Sequence, residues 1–538
     1  MSYKILNEEL KRADDVSAYA YEKNILERLI KFPLSKKIKF EIKTSLSNVY
    51  FKLSQHKSSI NMIDSLLKET KQSNTISDLL MLKAKCLIGL TEYSEGKKII
   101  ESLLPNIDDI NKKQQLMLEI ATVDFNLNEY DQAFNTCWQI IGEKNTAYEE
   151  KGLTYQMLGL LSIYKNNNLD EAFNFFGKGE AAYKAGNLNF RIAEMEMNLG
   201  NIFNIKGDRE KAKSYWDKSL KITRSTGNIE QEAKLLMNYG IYYYEILELD
   251  KSINSYEKAL SILTSLGSKK EYGFLLINLS ELYFLTCEYQ KAFEYINIAI
   301  NTFKQLNNLA EELEAVFLLG KLNFIIGDYE SLNLILEKLI IYMENNKLSE
   351  KFKNYFHILM ISYNLTKKVA TDYSDQLNII RKFTLNEKNE YDYFFCTMLL
   401  VKNLIKLNKF SNAYNILISD ELIKICDENI MFEAERNYMI GIVINLDSSL
   451  DSKSQLDYFN RAYNNISSTH ITELTWKVLF ALTIIYYNRG NLKKARGFGK
   501  YALSLINFNA ENIKDYRLRN IYLEEKERKE ALDRLNSF

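Results

Sequence analysis

The sequence predicts an all-α fold, a solenoid of stacked helical hairpins, and three observations support this prediction. A small residue preceded by an apolar one recurs every 40 residues, at Gly200, Gly240, Ser280 and Gly320. Helix breakers are scarce, since the 538 residues include only 2 prolines and 20 glycines, fewer than turn-rich β folds usually need. Apolar residues make up 46% of the chain, enough for a large core. A fixed period of this length is typical of hairpins that share one continuous core.

The hairpin from residue 191 to 227 shows the pattern most clearly. The predicted apolar face of its first helix carries Ile192, Met195, Leu199, Ile202 and Phe203. Gly207 predicts the turn, because glycine adopts turn conformations freely. Gly200 and Ala212 are small enough for the two helices to approach closely, and Trp216 is expected to fill the space toward the next hairpin.

This spacing of small and aromatic positions resembles the tetratricopeptide repeat family. The matching residues of the next units are Gly240, Tyr243, Ser252, Tyr256 and Ala259, then Ser280, Tyr283, Ala292, Ile296 and Ala299, then Gly320, Leu332, Leu336 and Leu339. Looser units precede and follow, so we expect about eleven or twelve hairpins. The resemblance implies a right-handed superhelix. The period of 40 residues exceeds the family's common repeat length of about 34 residues, which implies longer helices in each hairpin. Repeats of this longer form resemble those of kinesin light chains and of bacterial peptide-sensing regulators.

The regularity of the repeat divides the chain into four predicted segments. Residues 1–40 are expected to form an N-terminal helical cap, and residues 41–345 a regular array whose best repeats are 191–345. Degenerate repeats are expected at 346–508. Residues 509–538 predict a C-terminal capping or docking helix, in which opposite charges at helix spacing favour a solvated face.

Charge and composition argue against several classes of protein. The 70 basic and 70 acidic residues leave no net charge, so the chain lacks the basic excess on which most nucleic-acid binding depends. Its 5 cysteines stand far apart, which favours buried thiols in a reducing compartment. Neither a secretory signal nor a run of about 18 apolar residues is visible. We therefore expect a cytoplasmic protein that binds neither nucleic acid nor membrane.

The sequence lacks the motifs of catalysis and of cofactor binding. His56, His357 and His470 have no cysteine or second histidine at metal-ligand spacing. The stretch Leu266–Lys270 lacks the upstream glycine of a phosphate-binding loop, and no nucleophile motif of the GxSxG type occurs. The expectation is a non-enzymatic protein without a cofactor or a metal.

The first helices of stacked hairpins usually line the concave surface that binds partners. Equivalent positions of the repeats give a row of asparagines at 40-residue steps, Asn198, Asn238 and Asn278, beside apolar and aromatic residues. A row of amides can donate to and accept from a peptide backbone whatever its sequence, as asparagines do in the kinesin-light-chain-like adaptors that this segment resembles. The predicted partner-binding residues are Met197, Asn198, Asn201, Asn204, Lys234, Met237, Asn238, Tyr244, Phe274, Ile277, Asn278, Glu281, Phe284, Phe317, Lys321 and Phe324.

The sequence leaves three functions open. The first is a protein-interaction scaffold or adaptor that holds a peptide or a partner segment in the groove. The second is a peptide-responsive regulator of a separate output protein, and the third is a permanent structural subunit of a larger complex. The asparagines also have an alternative role, because each can bond a neighbouring helix and fix the superhelical pitch, with the aromatic residues in the core. The sequence does not identify the partner or the oligomeric state.

Overall fold

The computed structural model of the chain describes residues 19–53, 55–90, 92–143, 145–266, 268–306, 308–345, 348–387, 389–427, 429–451 and 454–537. Within these ranges all regular secondary structure is helical, which confirms the predicted all-α class. Residues 1–18 of the predicted N-terminal cap and Gly267 of the dismissed phosphate loop lie outside the described residues.

The described residues form 28 α-helices and one short 3₁₀ helix (Leu104–Asn106). The first fourteen are α1 (Tyr19–Leu29), α2 (Lys36–Lys52), α3 (His56–Glu69), α4 (Ser73–Gly89), α5 (Tyr93–Leu103), α6 (Ile110–Asn126), α7 (Tyr130–Gly142), α8 (Tyr148–Tyr164), α9 (Leu169–Ala185), α10 (Asn189–Ile205), α11 (Arg209–Thr226), α12 (Ile229–Glu245), α13 (Leu249–Leu266) and α14 (Lys269–Leu285). The others are α15 (Tyr289–Gln305), α16 (Leu309–Ile326), α17 (Tyr329–Asn345), α18 (Glu350–Leu365), α19 (Ser374–Asn386), α20 (Glu390–Lys406), α21 (Phe410–Leu417), α22 (Asp420–Asp427), α23 (Ile430–Leu446), α24 (Gln455–Ile466), α25 (Thr472–Asn488), α26 (Leu492–Glu511), α27 (Tyr516–Glu524) and α28 (Lys526–Leu535).

Most successive helices pack in pairs along the described part of the chain, from α2–α3 to α25–α26. The helix α20 packs against the short α21, which α22 follows. The 28 described α-helices are consistent with the predicted eleven or twelve hairpins and additional helices at the ends. The helices α10 to α13 are 17 or 18 residues long, as a 40-residue period requires.

Four of the described hairpins close on a contact between a glycine of the first helix and an aromatic ring of the second. A Cβ atom on Gly240 would lie 2.1 Å from the ring of Tyr256, and a Cβ atom on Gly200 would lie 2.5 Å from Trp216. Ser252 Oγ adds a hydrogen bond of 2.7 Å to the carbonyl of Gly240. The same contact recurs between Gly159 and Phe176 and between Gly441 and Phe459. The small residue is therefore required because the ring of its own hairpin occupies the space.

Trp216 contacts residues of two hairpins, its own and the next, whereas the sequence predicts contact with the next one. Its ring covers Gly200 of its own hairpin, and it also lies edge-on to Tyr239 and Tyr242 of the next first helix, at centroid distances of 6.0 and 6.5 Å. The indole therefore contributes both to closing one hairpin and to stacking the next on it.

The turns between paired helices follow the 40-residue period as well. Gly207, Leu247, Cys287 and Gly327 have φ values of 78°, 57°, 61° and 95°, in the left-handed region. Glycine adopts this conformation without strain, whereas a leucine does so rarely. The backbone thus repeats its shape at positions where the sequence has lost the glycine.

The chain forms two compact units: unit 1 is Met1–Leu275 with Thr302–Asn308, and unit 2 is Leu276–Asn301 with Leu309–Phe538. This division rests on compactness, whereas the four predicted segments rest on the regularity of the repeat, so those segments remain a prediction. The right-handed superhelix also remains a prediction.

In unit 2, the C-terminal segment packs against the hairpins instead of presenting a wholly solvated charged face. Arg528 of α28 is 2% exposed, and its guanidinium contacts Glu473 Oε1 at 2.9 Å. The same group donates to the carbonyls of Ile325 and Ile326 at 2.7 and 3.2 Å. The expectation of a solvated face is wrong at this residue because a carboxylate and two carbonyls inside unit 2 replace its water.

Candidate partner-binding surfaces

The sixteen predicted partner-binding residues all lie on first helices of hairpins, and they fall into two groups by unit. Unit 1 holds Met197, Asn198, Asn201, Asn204, Lys234, Met237, Asn238, Tyr244 and Phe274, on α10, α12 and the start of α14. Unit 2 holds Ile277, Asn278, Glu281, Phe284, Phe317, Lys321 and Phe324, on the rest of α14 and on α16. All nine residues of the unit 1 group are half-buried, as residues that line a surface are expected to be.

Two of the unit 1 asparagines are engaged in holding successive hairpins together. Asn238 Nδ2 donates to Asn201 Oδ1 at 2.9 Å, across 37 residues of sequence. The same oxygen accepts a hydrogen bond of 3.0 Å from the indole N–H of Trp216. Asn201 and Asn238 therefore contribute to the stacking of α10 and α12, which is the alternative role that the sequence left open for amides.

The other two unit 1 asparagines differ, because their side chains make no hydrogen bond within the described residues. The Nδ2 atom of Asn198 and the Oδ1 atom of Asn204 are both buried without a partner. No hydrogen bond of the described residues therefore holds either amide in its present rotamer, and turning it outward breaks none. A buried polar group without a partner costs about 1–3 kcal/mol, so both side chains gain from a new partner.

The charges around these amides compensate one another. Arg191 pairs with Glu194 at 3.2 Å, and Lys234 pairs with Glu230 at 2.9 Å. Burial lowers the pKa of Lys234, but the carboxylates of Glu230, Glu271 and Glu194 outweigh it, so that the pKa lies above its usual value. This face of unit 1 is therefore suited to a ligand without a strong net charge.

Of the apolar residues predicted in unit 1, two take part in packing. The carbonyl of Met197 accepts from Trp216 at 3.3 Å, and its sulfur lies 3.3 Å from Gln231 Nε2. Phe274 lies edge-on to Phe303, with a centroid distance of 5.3 Å. Their partial exposure leaves an apolar border beside the amides.

Unit 2 contains a cleft of about 250 Å³ between the first helices of four successive hairpins, α14, α16, α18 and α20. Its lining consists of Ile277, Glu281, Glu314, Phe317, Leu318, Lys321, Tyr355, Asn389, Tyr391 and Asp392. Four of these ten, Ile277, Glu281, Phe317 and Lys321, are predicted partner-binding residues. The structure therefore brings part of the predicted set together with residues from helices where the strict period is lost.

Lys321 and Asp392 form the central ion pair of the cleft. Lys321 Nζ lies 3.5 Å from Asp392 Oδ1, and both side chains are largely buried, with 16% and 7% exposed. Asn389 Nδ2 donates to the other carboxylate oxygen at 2.7 Å. The ammonium group also lies over the rings of Phe317 and Phe395, at 5.3 and 5.1 Å from their centroids. Both members of the pair are thus satisfied by neighbours inside unit 2.

One wall of the cleft is a stacked aromatic pair. The rings of Phe317 and Tyr355 are 3.9 Å apart and nearly parallel, at 2°. Burial together with the negative charges of Asp392 and Glu314 raises the pKa of the Tyr355 hydroxyl. Glu314 itself is held by an ion pair with Lys351, whose ammonium group lies 5.6 Å from the Tyr355 ring.

Glu281 is the carboxylate of the cleft without a direct partner in the described part of unit 2. Its side chain remains exposed to solvent, although protein surrounds it in the concave wall. Burial by these surroundings and the negative charge of Asp392 raise the pKa of Glu281, whereas the positive charge of Lys321 lowers it. The net result is a pKa above that of an ordinary glutamate. The negative charge of Glu281 is therefore poorly compensated.

The remaining predicted residues of unit 2 do not line this cleft. Phe284 packs on Tyr289 and Phe324 on Tyr329, with ring centroids 5.1 and 6.4 Å apart, so each contacts the turn of its own hairpin. Asn278 is half-buried and also lies outside the lining.

The prediction missed six lining residues: Glu314, Leu318, Tyr355, Asn389, Tyr391 and Asp392. Glu314 lies six positions before Gly320, at the position that Lys234 and Phe274 occupy in earlier repeats, so a consistent reading of that position would have found it. Tyr355, Tyr391 and Asp392 come from hairpins outside the 40-residue period, where the sequence gives no register to follow.

Neither a membrane-spanning helix nor a metal-binding cluster occurs among the described residues. None of the described helices combines the length and apolar character needed to cross a membrane. Among the same residues, no group of three or more histidine, cysteine, aspartate or glutamate side chains is placed to hold a metal ion.

Comparison with known proteins identifies one family. A family model described as tetratricopeptide repeat matches residues 191–265, the segment of α10 to α13. No curated protein matches the sequence.

Several solved structures resemble the chain at low identity. The aspartyl phosphate phosphatase F of Bacillus subtilis is 13% identical, with 74% of this chain and 95% of that chain covered and a TM-score of 0.44. A signal transduction ATPase with a tetratricopeptide repeat sensor from Pyrococcus horikoshii is 17% identical, with 70% and 56% covered and a TM-score of 0.44. The Cut9–Hcn1 hetero-tetramer of the APC/C is 13% identical, with 94% and 86% covered and a TM-score of 0.42.

The family match falls on the hairpins that have the strictest period. The contact between a glycine and a ring that closes those hairpins recurs at Gly159 and at Gly441, outside the matched segment. The chain therefore contains a tetratricopeptide repeat segment at residues 191–265, within an all-α series of helical hairpins.

Proposed function

We propose that the chain is a protein-interaction adaptor or regulator that binds an extended peptide segment of a partner across α10 in unit 1. Tetratricopeptide repeats are typically non-enzymatic scaffolds, which supports the general role. One observation carries the specific part: the side chains of Asn198 and Asn204 make no hydrogen bond within the described residues, although Asn201 between them accepts two through its Oδ1. Amides that hold the fold and amides that remain available thus alternate on one helix.

The spacing of the two amides suits a peptide backbone. Asn204 lies six residues after Asn198, which places it about 9 Å farther along the α-helix and about 120° around it, so a ligand that reaches both amides crosses the helix obliquely. An extended chain covers that distance in about three residues. Each amide offers one donor group and one acceptor, so the pair can bond backbone carbonyl and N–H groups of a short extended segment.

The surroundings of the amides favour recognition of backbone and apolar groups over recognition of charge. The nearby ions are paired with one another, as Lys234 is with Glu230. The half-buried Met197 and Met237 border the amides, and methionine adapts to side chains of different shapes. A ligand with few charges and small or apolar side chains is therefore the best match.

The five cysteines support a cytoplasmic location as part of the proposal. Cys86, Cys137, Cys287, Cys396 and Cys426 are all buried and unpaired. Proteins of reducing compartments typically keep their thiols in this state.

A peptide selection tests the proposal. Twelve-residue peptides displayed on phage are selected on the full chain, and the affinity of the best peptides is then measured by fluorescence anisotropy. The double variant Asn198→Ala with Asn204→Ala is expected to lose at least tenfold in affinity without loss of thermal stability. The control Asn254→Ala removes an exposed amide from the second helix α13 and should change neither quantity. Unchanged affinity in the double variant contradicts the proposal.

Asn238→Ala separates binding from folding. It removes the hydrogen bond to Asn201, and the expected result is a lower melting temperature. If Asn238→Ala alone abolishes binding at full stability, the ligand contacts the engaged amides and the assignment to Asn198 and Asn204 is wrong.

A further inference from the structure

The cleft of unit 2 has the size of a single side chain. Its volume of about 250 Å³ is below the range of about 300–1,000 Å³ that is usual for small-molecule pockets. Four helices contribute to it, and Ile277, Leu318 and the ring of Phe317 give it apolar walls. A nucleotide or a large cofactor therefore does not fit, whereas a long side chain with an apolar stem does.

The charges of the lining are unequal. Glu281, Glu314 and Asp392 bring three carboxylates, against the one ammonium group of Lys321. Asp392 is compensated by Lys321, and Glu314 by Lys351 from beside the cleft. One negative charge, that of Glu281, is left over at the solvent-accessible part of the wall.

Two lysines show that the aromatic and carboxylate side chains of this cleft can bind alkylammonium groups. Lys321 lies over Phe317 while it pairs with Asp392, and Lys351 lies over Tyr355 while it pairs with Glu314. Each combines an aromatic face with a carboxylate, as cation recognition requires. Glu281 offers the third carboxylate of the same cleft, and no cation of unit 2 forms an ion pair with it within the described residues.

Other ligand classes are disfavoured by the same groups. An anionic ligand meets three carboxylates and only one ammonium group, which is already shared. A neutral apolar side chain displaces water from Glu281 without supplying a partner, and that costs free energy. A cationic side chain supplies the partner and places its methylene groups against the apolar walls.

We propose that this cleft binds the side chain of a lysine or an arginine presented by a partner polypeptide, with Glu281 as its charge partner. The site belongs to unit 2 and rests on different residues from the peptide-binding surface proposed for α10. Either site can therefore fail its test while the other stands.

Model peptides test the proposal on the full chain. The probes are acetylated and amidated Gly-Gly-X-Gly-Gly peptides in which X is lysine, arginine, norleucine or glutamate, titrated by saturation-transfer NMR. We expect the lysine or the arginine peptide to bind at least tenfold more tightly than the norleucine peptide, and the glutamate peptide not to bind. Glu281→Gln should remove at least four-fifths of the advantage of the cationic peptide, since it takes away the charge and keeps the shape.

Two controls separate a specific site from general attraction to a negative surface. Glu294→Gln removes an exposed carboxylate of α15 outside the cleft and should leave all affinities unchanged. Asn198→Ala should also leave them unchanged, which distinguishes this site from the one on α10. The proposal is overturned if lysine, arginine and norleucine peptides bind equally, or if the two glutamate variants behave alike.

The pH dependence provides a second readout. The pKa of Glu281 lies above that of an ordinary glutamate, so its carboxylate is protonated earlier as the pH falls. Affinity for the cationic peptide is expected to be full at a pH well above that raised pKa and to fall as the pH is lowered through it. In Glu281→Gln the affinity should not change over the same pH range, and a fall of equal size in the variant contradicts the assignment.

Discussion

The hairpins α12–α13 of unit 1 and α25–α26 of unit 2 have the same two-helix construction but are completed in different ways. The first is held by residues of the repeat itself: Gly240 faces Tyr256, and Ser252 bonds the Gly240 carbonyl. The second is covered by α27 and α28 from beyond the last repeat, and Arg528 and Glu473 form a buried ion pair there. Inside the array a contact can recur with the period, whereas at the end of the array it occurs once.

The difference shows which stabilising contacts a repeat can encode. A ring on a glycine requires only a small residue and an aromatic one at fixed spacing, so it can be copied from hairpin to hairpin. The buried arginine requires partners from three separate helices of unit 2. These are the Glu473 carboxylate of α25, the Tyr522 ring of α27 at 4.0 Å, and two neighbouring backbone carbonyls of α16. Burial alone would raise the pKa of Glu473, but Arg528 and Lys477 outweigh it and lower that pKa to about 2.

The largest expected loss of stability comes from removing the ion pair of Arg528 with Glu473 at the end of the array. Arg528→Met leaves Glu473 buried without its cation, and losing one partner of a buried ion pair costs about 3–5 kcal/mol of unfolding free energy. Urea denaturation followed by circular dichroism measures the loss. Arg534→Met, at an exposed position of the same helix, is the matched control and should cost less than about 1 kcal/mol.

A double variant decides whether the charge itself is responsible. Arg528→Met with Glu473→Met removes both ions and should recover part of the lost stability, because an apolar pair can replace a buried ion pair. If the double variant is less stable than Arg528→Met alone, the cost comes from the hydrogen bonds of Glu473 to Tyr522 and Asn509 instead.

A smaller loss of stability is expected from disturbing the contact between a glycine and an aromatic ring that recurs in the hairpins. In Gly240→Ala the new Cβ atom would lie 2.1 Å from the ring of Tyr256, so the ring or the helix must move. Overpacking of this kind costs about 1–3 kcal/mol. In the control Gly177→Ala the added Cβ atom meets no atom within 4 Å, so a gain of about 0.5–1 kcal/mol is expected from the better helix former. Equal effects of the two substitutions would show that the ring does not require the glycine.

The sequence was sufficient to predict contacts of the repeated kind. The period placed Gly200, Trp216 and Tyr256 in register, and the hairpins form where it predicted them. It also placed Glu281 and Lys321 on a shared surface, although it did not supply Tyr355 or Asp392. Those two lie beyond the regular segment, so only the packed structure brings them to the cleft.

The sequence could not predict which groups satisfy one another. The four predicted binding asparagines of unit 1 look alike in the pattern, yet Asn201 and Asn238 are bonded to each other, while Asn198 and Asn204 make no side-chain hydrogen bond within the described residues. Which amide is available depends on side-chain distances of a few ångströms. The burial of Arg528 could not be predicted for the same reason. The run of charged residues in α28 does not reveal which of them pairs with Glu473, 55 residues earlier in the sequence.

The smallest expected change in stability concerns the turns, where the 40-residue period persists in the backbone conformation but not in the sequence. Leu247 has φ 57° at the position that Gly207 occupies one repeat earlier. An L-residue in this region costs about 1–2 kcal/mol, and asparagine tolerates it better than leucine. Leu247→Asn is therefore expected to raise the unfolding free energy by about 0.5 kcal/mol, after the loss of some apolar contact. Leu247→Ala is the control, since it loses the same contact and keeps the strain. If alanine stabilises the protein as much as asparagine does in urea denaturation, strain at this turn is not what the substitution relieves.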